Sequence, residues 1–142
     1  MVSLCGMEFN LRPLTANDYD DTLVGWWKDW GWEPPTKEFL PDNGAGGIMV
    51  LDGDMPICAG FLYTTNSKVA WVDWIISDKQ YRKKPQRSQA IKLLVDTLTN
   101  VAKNTGHRYS YALIKSPNLV KTYEDLGYTK GDSYIGEMIK VL

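Results

Sequence analysis

The chain is poor in the residues that hold metals. Its 142 residues include one histidine, His107, and two cysteines, Cys5 and Cys58, too few and too far apart for the four ligands of a structural zinc. No metal is expected, and both thiols are expected to be reduced. Long apolar runs are missing as well. Nothing approaches the roughly 18 to 20 residues that cross a bilayer, and the N-terminus lacks a charged-then-apolar export signal. The expectation is no membrane partner and a cytoplasmic location. An excess of positive charge is also absent: 16 Lys and Arg stand against 17 Asp and Glu, a net charge of -1, which speaks against binding a nucleic-acid backbone. Repeats and low-complexity tracts are lacking, and the length is that of one domain, 1–142.

What the sequence has in plenty is tryptophan, six in all, with four packed into Trp26, Trp27, Trp30 and Trp32. On one helix Trp26 and Trp27 diverge by about 100°. They cannot all enter one core, so at least one of the four is expected to be partly exposed. Three readings stay open for the group: packing against the neighbouring loop, covering a protein partner, or walling a substrate pocket through Trp27 and Trp30, with Trp71 beyond.

In chain order, residues 1–6 read as a loose end and Met7–Leu14 as a strand closed by Pro13. A helix should start near Thr15, run through Tyr19, Leu23, Trp26, Trp27 and Trp30, and stop at Gly31 before Pro34-Pro35. Glu33–Gly47 reads as an irregular connection with a short helical possibility at Thr36–Leu40. Ile48–Leu51 and Ile57–Thr64 form a hairpin about Asp52-Gly53. A second turn, Thr65–Lys68, leads into a third strand, giving three antiparallel strands in succession.

That third strand opens the most informative stretch, Lys68–Asn104. Strict alternation puts Val69, Trp71, Asp73 and Ile75 on one face and Ala70, Val72, Trp74 and Ile76 on the other, so one acid, Asp73, sits inside an apolar run. The turn Ser77–Arg87 carries Lys79, Arg82, Lys83, Lys84 and Arg87 within eleven residues. It feeds a helix, capped by Ser88 and stopped by Gly106, that buries Ile91, Leu94, Val95, Leu98, Val101 and Ala102. Free amides behind a basic turn outline an anion site. Beyond it, Tyr109–Ile114 reads as a strand parallel to the third, reached by a right-handed crossover. Ser116–Leu126 reads as a helix ended by Gly127, and Tyr128–Leu142 as a hairpin turning near Gly131-Asp132. The fold class is α/β (α+β): a mixed, mostly antiparallel sheet with helices on both faces.

This order of elements resembles the GNAT family of N-acetyltransferases over nearly the whole chain. Two local matches carry the likeness. Tyr81-Arg82, the basic turn and the helix from Ala90 through Leu93-Leu94 are similar to the family's acetyl-coenzyme A pyrophosphate loop, written Q/R-x-x-G-x-G/A, with Pro85, Ser88 and Ala90 at its three fixed positions. Tyr123-Glu124-Asp125-Leu126-Gly127-Tyr128 is similar to the family's closing Y-E-x-x-G-F/Y segment. The asparagine that usually precedes that tyrosine by seven residues is replaced by Ser116, with Asn118 nearby. Chains this rich in tryptophan also resemble tailed-phage proteins.

The resemblance implies an acetyl-coenzyme A-dependent N-acetyltransferase in which a bound amine of a small molecule or peptide attacks the thioester directly. It puts Asp73 as general base and Tyr123 as general acid. Backbone amides around Trp74, Ile75 and Ile76 would hold the acetyl carbonyl. Ser88, Gln89 and Ala90 would offer phosphate-binding amides, supported by Arg82, Lys83, Lys84 and Arg87, with Asn118 lining the cofactor. Homodimers are common in the family. Two rivals remain at this point: a module of the same fold without turnover, and a protein-interaction domain built on the tryptophans. Asp73 also fits an exposed strand face, and Tyr123 a core position with a satisfied hydroxyl.

Overall fold

The computed structural model describes residues 2–4 and 7–142, with side chains from residue 9 onward. Six strands lie in sequence order in one sheet: β1 (Val2–Leu4), β2 (Met7–Pro13), β3 (Gly47–Asp52), β4 (Met55–Thr64), β5 (Val69–Ser77) and β6 (Tyr109–Tyr111). Every neighbouring pair is antiparallel except β5 with β6, which are parallel and joined through the 18-residue helix α2 (Arg87–Asn104). A wide π turn, Tyr19–Leu23, runs into helix α1 (Val24–Asp29), and α3 (Pro117–Asp125) follows β6. This is the mixed, mostly antiparallel sheet with helices on both faces that the hydrophobic pattern predicts.

Two apolar clusters sandwich the sheet. On one face Ile91, Leu94, Val95 and Leu98 of α2 and Tyr123 of α3 bury Val50, Cys58 and Val72. On the other, Leu23, Trp26 and Trp27 cover Met49, Ala59, Phe61 and Ile76, with Trp74 packed alongside. Strict alternation would put Val72, Trp74 and Ile76 on one face, yet Val72 joins the α2 cluster while Trp74 and Ile76 join the α1 cluster. The cause is a bulge. Trp74 takes φ +56°, a left-handed conformation rare for a bulky residue, and the β4–β5 register shifts between Ala59 and Phe61. Such a residue stores on the order of 1–3 kcal/mol of backbone strain, which the ring packing around it offsets.

Other expectations need correcting. Residues 2–4 pair with β2 where the sequence reads as a loose end; Cys5 lies outside the described residues. Helix α2 begins at Arg87 with Gln86 at its N-cap, not Ser88, and no side chain caps it. Val101 is 38% exposed on the outer flank of that helix. Strand β6 stops at Tyr111 because the next free amide, Leu113 N–H, turns to a carboxylate of β5. The expected hairpin Tyr128–Leu142 does not form: residues 129–142 contain no strand and are exposed. Tyr128 is instead the close of α3, its N–H donating to Tyr123 O and its hydroxyl meeting Thr99 Oγ1 at 2.6 Å and Ser110 Oγ at 2.5 Å.

One glycine fixes the β3–β4 approach. A Cβ on Gly47 would collide with the backbone carbonyl of Gly60, which cannot swing away as a side chain can. Gly47→Ala should therefore cost about 2–3 kcal/mol, on the scale of overpacking, read as a lower urea midpoint with an unchanged slope. An unchanged midpoint would show that the two strands part freely here.

Candidate active site

Strand β5 positions the chemistry. It pairs with β6 only over Val69–Trp71, against Tyr109–Tyr111, and then runs on while β6 turns away. Two side-chain bonds span the divergence. The Tyr123 hydroxyl donates to Val72 O at 2.7 Å, and Asp73 Oδ2 accepts from Leu113 N at 3.0 Å. The other oxygen, Asp73 Oδ1, accepts from the Trp74 amide at 3.0 Å. Two carboxylate oxygens with four lone-pair sites thus retain acceptor capacity toward a ligand.

Burial pushes the Asp73 carboxyl above its ordinary range, and the two amide bonds hold it back. No cation stands within ion-pair distance of Asp73 among the described residues. Its charge is felt by two hydroxyls: those of Tyr123 and Tyr63 are both raised, by burial first and by Asp73 second. The family resemblance names Asp73 and Tyr123 together, and the Tyr123 hydroxyl reaches from α3 to the Val72 carbonyl, one residue before Asp73 on β5. Tyr63 is an addition, found only through the β4–β5 register that sets it opposite Trp71.

At the far end of β5 the basic turn wraps the start of α2. The Arg87 and Ala90 amides are taken by Lys84 O and Gln86 O, whereas those of Ser88 and Gln89 find no acceptor among the described residues. No acidic residue stands in the first turn of α2, so the positive end of its dipole is uncompensated. Arg82, Lys83 and Lys84 are exposed beside it. Arg87 is not: its guanidinium donates twice to Ser77 Oγ, at 3.1 and 3.3 Å, and lies over the Trp30 ring. Ala90 is buried in the α2 core, and Asn118 is exposed in the first turn of α3, which Ser116 caps through Leu119 N.

The tryptophans divide by place. Trp27 is buried and meets Trp74 edge-on at 6.3 Å, so it supports the bulge and does not line an open surface. Trp30 donates its indole N–H to Ser77 O at 2.8 Å and stacks on Trp32, which is 54% exposed; it belongs to the basic-turn end. Trp71 packs on Tyr111 with centroids 4.5 Å apart, two residues before Asp73. Phe39, from the 3₁₀ turn Lys37–Phe39, meets Trp74 edge-on at 5.8 Å and completes the aromatic surround. Sequence reasoning missed Phe39, Tyr63 and Tyr111, whose places depend on register and loop path. Cys58 is a buried thiol pushed up by burial, and no group of metal-binding side chains occurs among the described residues. No helix among them is long and apolar enough to cross a membrane.

No family model and no curated protein matches the sequence. Solved structures do match in fold. Glucosamine-6-phosphate N-acetyltransferase from Arabidopsis thaliana superposes with a TM-score of 0.66 at 14% identity, over 94% of this chain and 99% of that one. AAC(6')-Iy in complex with a bisubstrate analog, CoA-S-monomethyl-acetylneamine, gives 0.66 at 13% identity, over 94% and 99%. A transcriptional regulator from Bacillus halodurans C-125 gives 0.67 at 14%, over 93% and 100%. The chain therefore has the GNAT-like fold that these structures share.

Proposed function

We propose that the chain is a cytoplasmic acetyl-coenzyme A-dependent N-acetyltransferase acting on a small-molecule amine by direct attack. The observation that carries this reading is the convergence on β5 of a charge-unpaired carboxylate, Asp73, and a buried tyrosine hydroxyl, Tyr123, upstream of an uncapped, acid-free helix start. The fold neighbours support it: two carry acetyltransferase or coenzyme A chemistry in their names, on amino sugars.

Bound acetyl-coenzyme A would supply a thioester whose acetyl carbon exchanges its C–S bond for a C–N bond. The Ser88 and Gln89 amides, with Arg82, Lys83 and Lys84, would hold its phosphates. Pro85 contributes no donor, and the neighbouring lysines supply charge in its place. With it bound, Asp73 would take one proton of the incoming ammonium, the Ile75–Ile76 backbone would lie toward the acetyl group while the Trp74 amide stays on Asp73, and Tyr123 would give its proton to the departing sulfur and regain one from the amine nitrogen. Arg87, engaged with Ser77, positions the turn and does not reach for phosphate.

Ser88→Asp tests the cofactor site. An acid in the bare first turn of α2 should stabilise the fold by about 0.5 kcal/mol while weakening acetyl-coenzyme A binding about tenfold or more, because the carboxylate occupies the anion's place. Calorimetry reads the second effect and thermal melting the first. Unchanged affinity would move the cofactor elsewhere. No heat from folded wild-type protein at high acetyl-coenzyme A would end the acetyl-transfer reading.

A further inference from the structure

The acceptor floor has a chemistry of its own. The register Tyr63 opposite Trp71, and Trp71 opposite Tyr111, lays three rings side by side across β4, β5 and β6. Asp73 stands two residues further along the same face, and the left-handed backbone at Trp74 brings a fourth ring to that side, with Phe39 against it. A lone carboxylate without a cationic partner, set among aromatic faces, attracts one kind of ligand group: a cation with an apolar body. Trp71 and Tyr111 are only partly covered, Tyr111 being 42% exposed, so the floor is reachable.

The polar atoms point the same way by being spent. The Tyr63 hydroxyl donates to Phe39 O at 3.1 Å, the Tyr111 hydroxyl meets that of Tyr134 at 3.4 Å, and the Trp74 amide serves Asp73. A hydroxyl-rich ligand would find few free partners, and each unmatched hydroxyl would lose its water without compensation.

We infer that this floor selects primary amines with an aryl or alkyl body, the ammonium paired with Asp73 and the body against Trp71 and Tyr111, over hydroxyl-rich amino sugars. As an acceptor specificity it rests on the acetyl-transfer reading; as a binding preference it is separable. The test is equilibrium binding to the full chain by tryptophan fluorescence and calorimetry, with phenethylamine, glucosamine and phenylacetate as probes and acetyl-coenzyme A titrated separately. Phenethylamine should bind about tenfold or more tighter than either other probe. Asp73→Asn should weaken it about tenfold, and Tyr111→Ser, at an exposed position, severalfold, with both variants folded by circular dichroism. Glucosamine binding as well as phenethylamine, or indifference of phenethylamine to both variants, would overturn the inference. Phenethylamine bound in this pattern without any acetyl-coenzyme A binding would uphold the floor and discard the transferase.

Discussion

Asp73→Asn is expected to lower acetyl transfer at neutral pH by about a hundredfold or more, the usual scale for removing a general base, with acetyl-coenzyme A affinity unchanged. The variant stays neutral and nearly isosteric, so its stability reports a second effect. Burial raises the Asp73 carboxyl above its ordinary value of 3.8. A group raised on folding contributes stability that is fully present below its unfolded pKa and is lost as pH rises through the folded one. The wild type should thus lose stability from about pH 4 upward through that raised value, while the asparagine variant, with nothing to ionise, should not. Against this, one of the amides of Trp74 and Leu113 faces an NH₂ in place of an oxygen, costing about 1 kcal/mol at every pH. The stability gap between the two proteins should therefore move in favour of the asparagine variant as pH rises, in parallel urea titrations. Undiminished turnover would hand the base role to water, and a gap constant across pH would show that the carboxyl is not raised.

Tyr123→Phe should slow turnover by about tenfold to a hundredfold, as loss of a positioned acid does. It should also cost about 1–3 kcal/mol of stability, because Val72 O loses the donor it holds at 2.7 Å in the buried interior. These effects separate through the leaving group. An acetyl donor with an acidic aryl thiol needs no proton on departure, so the variant should approach the wild-type rate with it. A structural hydroxyl would instead depress both donors equally, and that result would leave Tyr123 as a brace for β5.

Much of the architecture is readable from local pattern. The meander from Ile48 to Ile76, the amphipathic period of α2 and the stops at Gly31, Gly106 and Gly127 all follow from residues close together in sequence, and all three glycines take positive φ. The failures have tertiary causes. No propensity puts Trp74 in the left-handed region; only the packing of Trp27 and Phe39 around its ring holds it there, and that packing reverses the side that alternation predicts for Trp74. The residues of β6 suit a strand as far as Ile114, whereas the Asp73 carboxylate captures the Leu113 amide first. Tyr128 looks like the opening of a hairpin, but its hydroxyl is drawn between Thr99 and Ser110. Arg87 reads as one more member of a basic row on sequence alone, since sequence cannot tell a lysine in water from an arginine folded back on Ser77. Only the family resemblance singles out Asp73 and Tyr123 together; what brings the Tyr123 hydroxyl beside Asp73, the early parting of β5 from β6, is a property of two strands 40 residues apart.

That parting also sets when the site can exist during folding. Strands β3 to β5 can assemble by zipping successive neighbours across the short turns 53–54 and 65–68, a fast process, whereas β2 joins them only by closing the longer connection 14–46. The β5–β6 pair must wait until α2 has formed and swung across the sheet, and only then does Leu113 reach Asp73 and Tyr123 reach Val72. The Leu113–Asp73 and Tyr123–Val72 bonds are thus the final seam of the molecule, so any event that loosens α2 erases them while leaving the meander standing.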